Sequence, residues 1–383
     1  MAPAVSRSTA RNRTDPSRLR QHPHLRGRIA SALHSSPRGE RPLFKRDVSM
    51  SSMHAIQIER VGDPSVLRPV VIERPTPAAD EVLVRVTRVG LNFAETLQRA
   101  GTYPGPALTL PAVPGSEVVG TVAAVGANVR DIRIGARVAA PLFGAMRATG
   151  GYAEYVTLGA ALITAIPDEV SDDDAVAVML QGLVARVLLR ETPVAARTVA
   201  ITAAAGGVGS MLIQLARLDG ARSITGLAGA PAKLHAVRTL GADRAISYRD
   251  AHWADQLSDA TGREGPDVVF DSIGGTVART LVSGLAIYGR FVSYGAASGQ
   301  LLTVDDALMN ALIFGCRSVS GFALHAFLND DVVRRTLGEL FGLLATGKLK
   351  PLIGGSYGFD AIADAHHALE TGQTTGKLIL RVE

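Results

Sequence analysis

A short β-branched run, Thr198-Val199-Ala200-Ile201-Thr202, meets a small-residue turn, Ala203-Ala204-Ala205-Gly206-Gly207-Val208-Gly209, and an apolar helical pattern follows at Met211, Leu212, Leu215 and Leu218. Strand, tight turn and helix in that order leave the first backbone N–H groups of the helix aimed at open space, where a pyrophosphate can accept them. Small residues at Ala204, Gly206 and Gly209 let phosphates approach the main chain and let helix and strand pack closely. The turn is that of a dinucleotide site, with Ala205, Gly206, Gly207, Val208 and Gly209 as its cofactor-binding residues.

The surrounding pattern agrees. After Ser171 a helix is expected over 172–189, with three acids in its first turn where the helix dipole favours them. Strands then alternate with helices: strands over 198–202, 223–227, 245–248, 268–271 and 290–294, helices over 208–218, 232–240 and 277–285. That alternation implies an α/β fold with a doubly wound parallel sheet. Upstream, residues 54–178 read instead as short strands punctuated by Gly and Pro, including 81–86, 118–125, 135–139 and 152–156, which suggests a barrel-like β domain. Beyond Ser318 the chain reads as helical over 332–344, then Gly-rich, then helical over 361–369, and it closes on a strand over 377–382.

The 383 residues are 47% hydrophobic and 20% charged, enough for two sizeable cores. No apolar run reaches the ~18–20 residues that span a bilayer. The net charge of +5 is unevenly placed. Residues 1–49 hold eleven Arg or Lys against three acids, a net of +8, which leaves −3 for the rest. The mildly acidic body gives no reason to expect nucleic acid as a partner. The basic segment, rich in Ser, Arg and Pro, is expected to be a disordered tail over 1–52. It reads first as sequence upstream of a start at Met50 or Met53, and otherwise as a solvated arm or a transit peptide. The single cysteine, Cys316, excludes an intrachain disulfide and a four-cysteine zinc site, and fits a reducing cytoplasm.

An ordered set of motifs carries a resemblance. Val89-Gly90-Leu91-Asn92-Phe93-Ala94-Glu95-Thr96, Gly101-Thr102-Tyr103-Pro104 and Pro114-Gly115-Ser116-Glu117-Val118-Val119-Gly120 come first. Gly150-Gly151-Tyr152-Ala153-Glu154-Tyr155, the Ala204–Gly209 turn, Leu240-Gly241-Ala242-Asp243, Asp271-Ser272-Ile273-Gly274-Gly275 and Thr375-Gly376-Lys377-Leu378 follow. Together they resemble the zinc-free, ζ-crystallin-like quinone oxidoreductases of the medium-chain dehydrogenase/reductase superfamily. The resemblance implies a GroES-like β-barrel catalytic domain over 53–178, a Rossmann domain over 179–317, and a segment over 318–383 returning to the first domain. It also implies a cleft active site and a homodimer or homotetramer built partly through Rossmann edge strands.

In an NAD site an acid ends the second strand and accepts from the ribose 2′-OH, ~20 residues past the glycines. This strand ends Thr225-Gly226-Leu227-Ala228-Gly229, without an acid, and Lys233 follows at a helix start, which favours NADPH. Gly226 is expected to face the cofactor. In similar quinone oxidoreductases the lysine matching Lys233 and a tyrosine matching Tyr248 contact the 2′-phosphate; Arg222 and Arg249 are weaker alternatives. Ser272, Tyr294 and Gly295 sit at carboxyl ends of parallel strands, where ligands bind, and the resemblance puts them beside the nicotinamide.

No metal is expected. By resemblance, Ser116 stands where zinc alcohol dehydrogenases of the superfamily place a His ahead of the glutamate, and their early Cys has no counterpart in Val89-Gly90-Leu91-Asn92. His366 and His367 are adjacent on an expected helix, so their side chains diverge by roughly 100°, and both are expected to face solvent. Without a Lewis acid the acceptor must itself be electrophilic: a quinone or other conjugated carbonyl. The resemblance puts Tyr103 and Asn92 in segments that border the cleft, where Tyr103 can donate to the oxyanion formed on hydride arrival and Asn92 can donate to substrate or cofactor without titrating. Relatives often carry Asp at the Glu95 position and Tyr at the Leu97 position, a difference that bears on substrate choice. Two alternatives to quinone reduction stand: reduction of enones, alkenals or enoyl thioesters, and a weakly catalytic NADPH-binding sensor or RNA-binding protein.

Overall fold

The structure, a computed structural model, describes residues 51–145 and 149–382. All of the expected basic tail but its last two residues therefore lies outside the described residues. The chain opens with strands β1 (Ser52–Gln57), β2 (Arg68–Glu73) and β3 (Glu81–Leu91), then helix α1 (Phe93–Ala100). Strands β4 (Val118–Val125), β5 (Arg137–Ala140), β6 (Tyr155–Gly159) and β7 (Thr164–Ala165) follow. Helix α2 (Asp172–Glu191) leads into β8 (Thr198–Ile201), α3 (Gly207–Leu218), β9 (Ser223–Ala228), α4 (Leu234–Thr239) and β10 (Arg244–Ser247). Then come α5 (Trp253–Ala260), β11 (Val268–Asp271), α6 (Gly275–Ser283), β12 (Arg290–Ser293), α7 (Asp306–Phe314) and β13 (Ser318–Gly321). The chain returns through α8 (Asp330–Ala345), β14 (Ile353–Tyr357), α9 (Ile362–Glu370) and β15 (Lys377–Arg381).

Six strands form one all-parallel sheet in the order β10-β9-β8-β11-β12-β13. Renumbered from its first strand this is 3-2-1-4-5-6, the doubly wound order whose crevice opens between strands one and four. β8 and β11 are buried at every residue, as parallel strands covered on both faces must be. The second sheet is mostly antiparallel, in the order β14-β15-β3-β4-β5-β7, with β6 also paired to β3. The last strand of the chain is thus stitched to the first domain: Leu378 pairs with Leu91 and Ile379 with Gly90.

Helix α2 joins the two halves. Ser171 caps it by accepting from the N–H of Asp174, and Asp172 and Asp173 complement its dipole. Asp172 pairs with Arg137, and Asp173 with Arg88 and Arg381, so the helix start is tied to three strands of the second sheet. Twelve of its twenty residues are buried, among them Met179, Leu183 and Leu188, because it packs on α3, α8 and the second sheet at once. Cutting Leu183 to Ala there would cost about 2–5 kcal/mol.

The elements depart from the expected boundaries in instructive ways. The 178/179 boundary falls inside α2, and β13 extends the parallel sheet past 317. β13 and β14 carry exposed, small or polar residues rather than an apolar run, which hides them from a hydrophobicity pattern. α1 stands where short strands and turns were expected; its capping box, Asn92 with Glu95, is the local signal for it.

Candidate active site

The crevice of the parallel sheet is lined by the turns after β8 and β11. Ala203 adopts a φ of +46°, a region costly for a residue with a Cβ, and turns the chain sharply out of β8. Ser210 donates the first helical hydrogen bond of α3, 2.9 Å to the Gly206 carbonyl, so the N–H groups of Gly207, Val208 and Gly209 precede the helical ladder. A Cβ on Gly206 would meet only Ala203, at 3.1 Å or more, and otherwise enter open space. This cradle fits a diphosphate. A Cβ on Gly209 would lie 2.8 Å from Ala204 Cα, so that glycine serves helix–strand contact. Ala205 is buried, and its carbonyl accepts from the Gly376 N–H at 2.7 Å. The returning segment therefore pairs directly with the cradle.

Further along the sheet edge, Lys233 donates from Nζ to the Gly372 carbonyl at 2.8 Å. Burial lowers its pKa, and the nearby Arg249 guanidinium lowers it further. Burial raises the pKa of Tyr248, whose hydroxyl would lie 2.6 Å from a Cβ on Gly229. Two cations and a phenol thus gather at the carboxyl ends of β9 and β10. Arg222 does not join them; it binds Thr198 Oγ1 and Asp267 at the opposite, amino end of the strands. At Gly226 the structure shows a packing reason for glycine: a Cβ would collide with Val237 and come 3.0 Å from Ala204 Cβ.

After β11, the Asp271 carboxylate accepts from Thr202 Oγ1 (2.7 Å) and the N–H groups of Ile273 (3.2 Å) and Gly274 (2.9 Å). It fixes the turn that holds Ser272. Gly295 packs on Ser272, at 3.1 Å from Ser272 Cβ to its own missing Cβ, and burial raises the Tyr294 phenol above its ordinary pKa. The three residues expected at the nicotinamide end are together at the adjacent ends of β11 and β12.

On the other side of the cleft lies a buried polar network. The pairing of β15 and β4 with β3 brings Lys377, Asn92, Gly90 and Glu117 together. Lys377 Nζ lies 2.5 Å from Glu117 Oε1 and 2.7 Å from Asn92 Oδ1, and the two charged side chains are 2% and 0% exposed. Burial raises the Glu117 pKa, opposed chiefly by the Lys377 charge. Glu117 Oε2 accepts from the Leu180 N–H of α2 at 2.8 Å. Asn92 Nδ2 donates to Glu117 Oε1 (3.0 Å) and Ser116 Oγ (3.1 Å), while Oδ1 accepts from Gln181 Nε2 (2.7 Å). Expected as a free donor, Asn92 is 4% exposed, and its amide bonds to protein groups on both sides. Tyr103 takes no part in this network; it is exposed on the following loop, its ring against Gly105.

Glu95 is the hub behind that network. Its carboxylate takes the Asn92 N–H (3.0 Å), the Ser116 N–H (2.9 Å), Ser116 Oγ (2.7 Å) and Tyr152 Oη (2.7 Å). Tyr152 also meets His366 Nε2 at 3.0 Å. The expectation that both histidines face solvent is corrected: His367 is exposed, but His366 is 0% exposed. The angular divergence of adjacent helix residues turns one of them inward when the helix packs on one face. Sequence reasoning also passed over Glu117, Gln181 and the role of Lys377. The available signal was a lysine opening the apolar run Leu378-Ile379-Leu380, since a buried cation needs a partner. Among the described residues no three His, Cys, Asp or Glu side chains converge to hold a metal ion, and no helix is long and apolar enough to cross a membrane.

Residues 78–168 match the alcohol dehydrogenase GroES-like domain, and residues 240–380 the zinc-binding dehydrogenase family. A quinone oxidoreductase of Pseudomonas aeruginosa is 33% identical over 328 residues, 85% of this chain and 98% of the relative. The chain belongs to the zinc-independent quinone oxidoreductases of the medium-chain dehydrogenase/reductase superfamily. Another quinone oxidoreductase, from Homo sapiens, is 29% identical over 86% of the chain and 97% of its own length. Escherichia coli quinone oxidoreductase complexed with NADPH superposes with a TM-score of 0.77, at 29% identity, over 86% of this chain and all of the other. A stretch of a polyketide synthase subunit from Mycobacterium tuberculosis, 15% of that protein, is 31% identical over 85% of this chain. The chain joins a GroES-like domain to a Rossmann sheet.

Proposed function

We propose that the chain is an NADPH-dependent oxidoreductase that reduces quinones without a catalytic metal. The observation that carries it is the open cradle at Gly206, set between two cations without an acid at the β9 end and a buried polar network at the other. Bound there, NADPH supplies a hydride from C4 of its nicotinamide ring. The N–H groups of residues 207–209 hold the pyrophosphate, and Lys233, with Tyr248 beside it, holds the 2′-phosphate. Lys233 exchanges the Gly372 carbonyl for that phosphate, a stronger acceptor because it is charged. Ser272, Tyr294 and Gly295 line the nicotinamide end. Tyr103 donates to the oxygen on which charge develops, which lowers the barrier without a Lewis acid. Asn92 acts as a positioning residue, fixing the floor of the cleft. Turnover of NADPH with a panel of quinones tests the reading: quinones should support oxidation at 340 nm, and a panel in which none does would overturn it.

The match to a stretch of polyketide synthase subunit favours a second acceptor class, enones and enoyl thioesters. The two separate by parallel turnover of a quinone and an enoyl-CoA panel.

The β13 edge supports a homo-oligomer. Among the described residues that strand is unpaired on one side, and Phe314 (85% exposed), Tyr288 (75%) and Ile313 (60%) stand near it in the chain or by backbone contact. Sedimentation velocity should give a mass of two or four chains. The exposed free Cys316 fits a reducing compartment, and we place the protein in the cytoplasm.

A further inference from the structure

Gln181 of α2 is 8% exposed, and its Oε1 is buried with no hydrogen-bond partner among the described residues. Such an acceptor is costly to leave unmade and calls for a donor. The orientation of its amide follows from its neighbours. Lys377 can only donate, so the Asn92 atom 2.7 Å from it is the carbonyl oxygen. The other end of the Asn92 amide faces Glu117 Oε1 at 3.0 Å and must be its NH2 group. The Gln181 atom 2.7 Å from Asn92 Oδ1 is then the nitrogen, and the Gln181 oxygen is left over. The buried ion pair thus sets two amides in sequence and leaves an acceptor at the far end.

The Gln181 side chain borders the cofactor cradle. A Cβ on Gly207 would lie 2.6 Å from Gln181 Cγ, so the glycine at the first position of α3 makes room for this side chain. A carbonyl oxygen repels phosphate oxygens, which makes a ribose hydroxyl the donor class it suits. The adenosine half belongs with Lys233 and Tyr248, whereas Gln181 binds Asn92 of the catalytic domain. We propose that Gln181 is a cofactor-contact residue whose Oε1 accepts a hydrogen bond from a hydroxyl of the nicotinamide-side ribose, its amide oriented from behind by Lys377 through Asn92. The inference rests on the reading of the Gly206–Gly207 turn as the cofactor cradle.

Gln181→Met keeps the length of the side chain and removes the acceptor. Calorimetric titration compares NADPH with 2′,5′-ADP, a fragment that carries the 2′-phosphate and adenosine but lacks the nicotinamide ribose. The variant should bind NADPH about threefold to tenfold more weakly, with 2′,5′-ADP affinity unchanged. Unchanged NADPH affinity overturns the proposal, and so does equal weakening of both ligands, the mark of a merely structural residue. If the wild-type chain bound neither ligand, the cradle itself would fall and this inference with it.

Discussion

Lys377 and Glu117 form an ion pair 2.5 Å long that is closed to solvent on both sides. A buried pair of this kind is a weak source of net stability, but breaking it strands a charge. Lys377→Met and Glu117→Leu should each cost about 3–5 kcal/mol. The double variant should cost less than the sum of the two. Urea unfolding of the three variants measures this; additive losses would show that the charges do not depend on each other.

The cations at the β9 end decide between cofactors. Lys233→Ala should weaken NADPH by roughly 1–3 kcal/mol, the scale of a charge-assisted hydrogen bond, and leave NADH nearly unaffected. Parallel titrations with the two nucleotides check it. Equal weakening would mean that Lys233 serves the loop through Gly372 and not the 2′-phosphate.

His366 gives the fold an acid-sensitive point. Burial, reinforced by Arg99, lowers its pKa from 6.5 to about 3. Below 6.5 the unfolded chain holds a proton that the folded chain refuses, so stability falls as pH drops towards 3. The slope from this group is up to ~1.4 kcal/mol per pH unit. His366→Gln should flatten the stability profile between about pH 6 and 4. An unchanged slope in urea melts at successive pH values would assign the acid sensitivity elsewhere.

Much of the fold was legible because its signals are local. The cradle announces itself through Gly206, Gly207 and Gly209, and the buried strands β8 and β11 through short runs rich in apolar and β-branched residues. The site on the catalytic side was less legible because register makes it. Lys377 and Asn92 are 285 residues apart in the chain, and only the pairing of β15 with β3 sets them side by side. Glu117 was visible as part of a motif, but its partner was not. His366 and Gln181 are polar residues on packed helices, and a helical pattern alone does not tell which face turns inward. β13 escaped notice because an edge strand with exposed residues lacks the apolar signature of its neighbours.

The central claim is that a bare main-chain cradle at the start of α3 grips NADPH. Calorimetric titration of the chelator-treated chain and of Gly206→Val with NADPH tests it most directly. The wild-type chain should bind one NADPH per protomer, and the valine, by filling the open space at Gly206, should abolish the heat of binding. Equal affinity in the two proteins, or no heat with the wild type, would contradict the account.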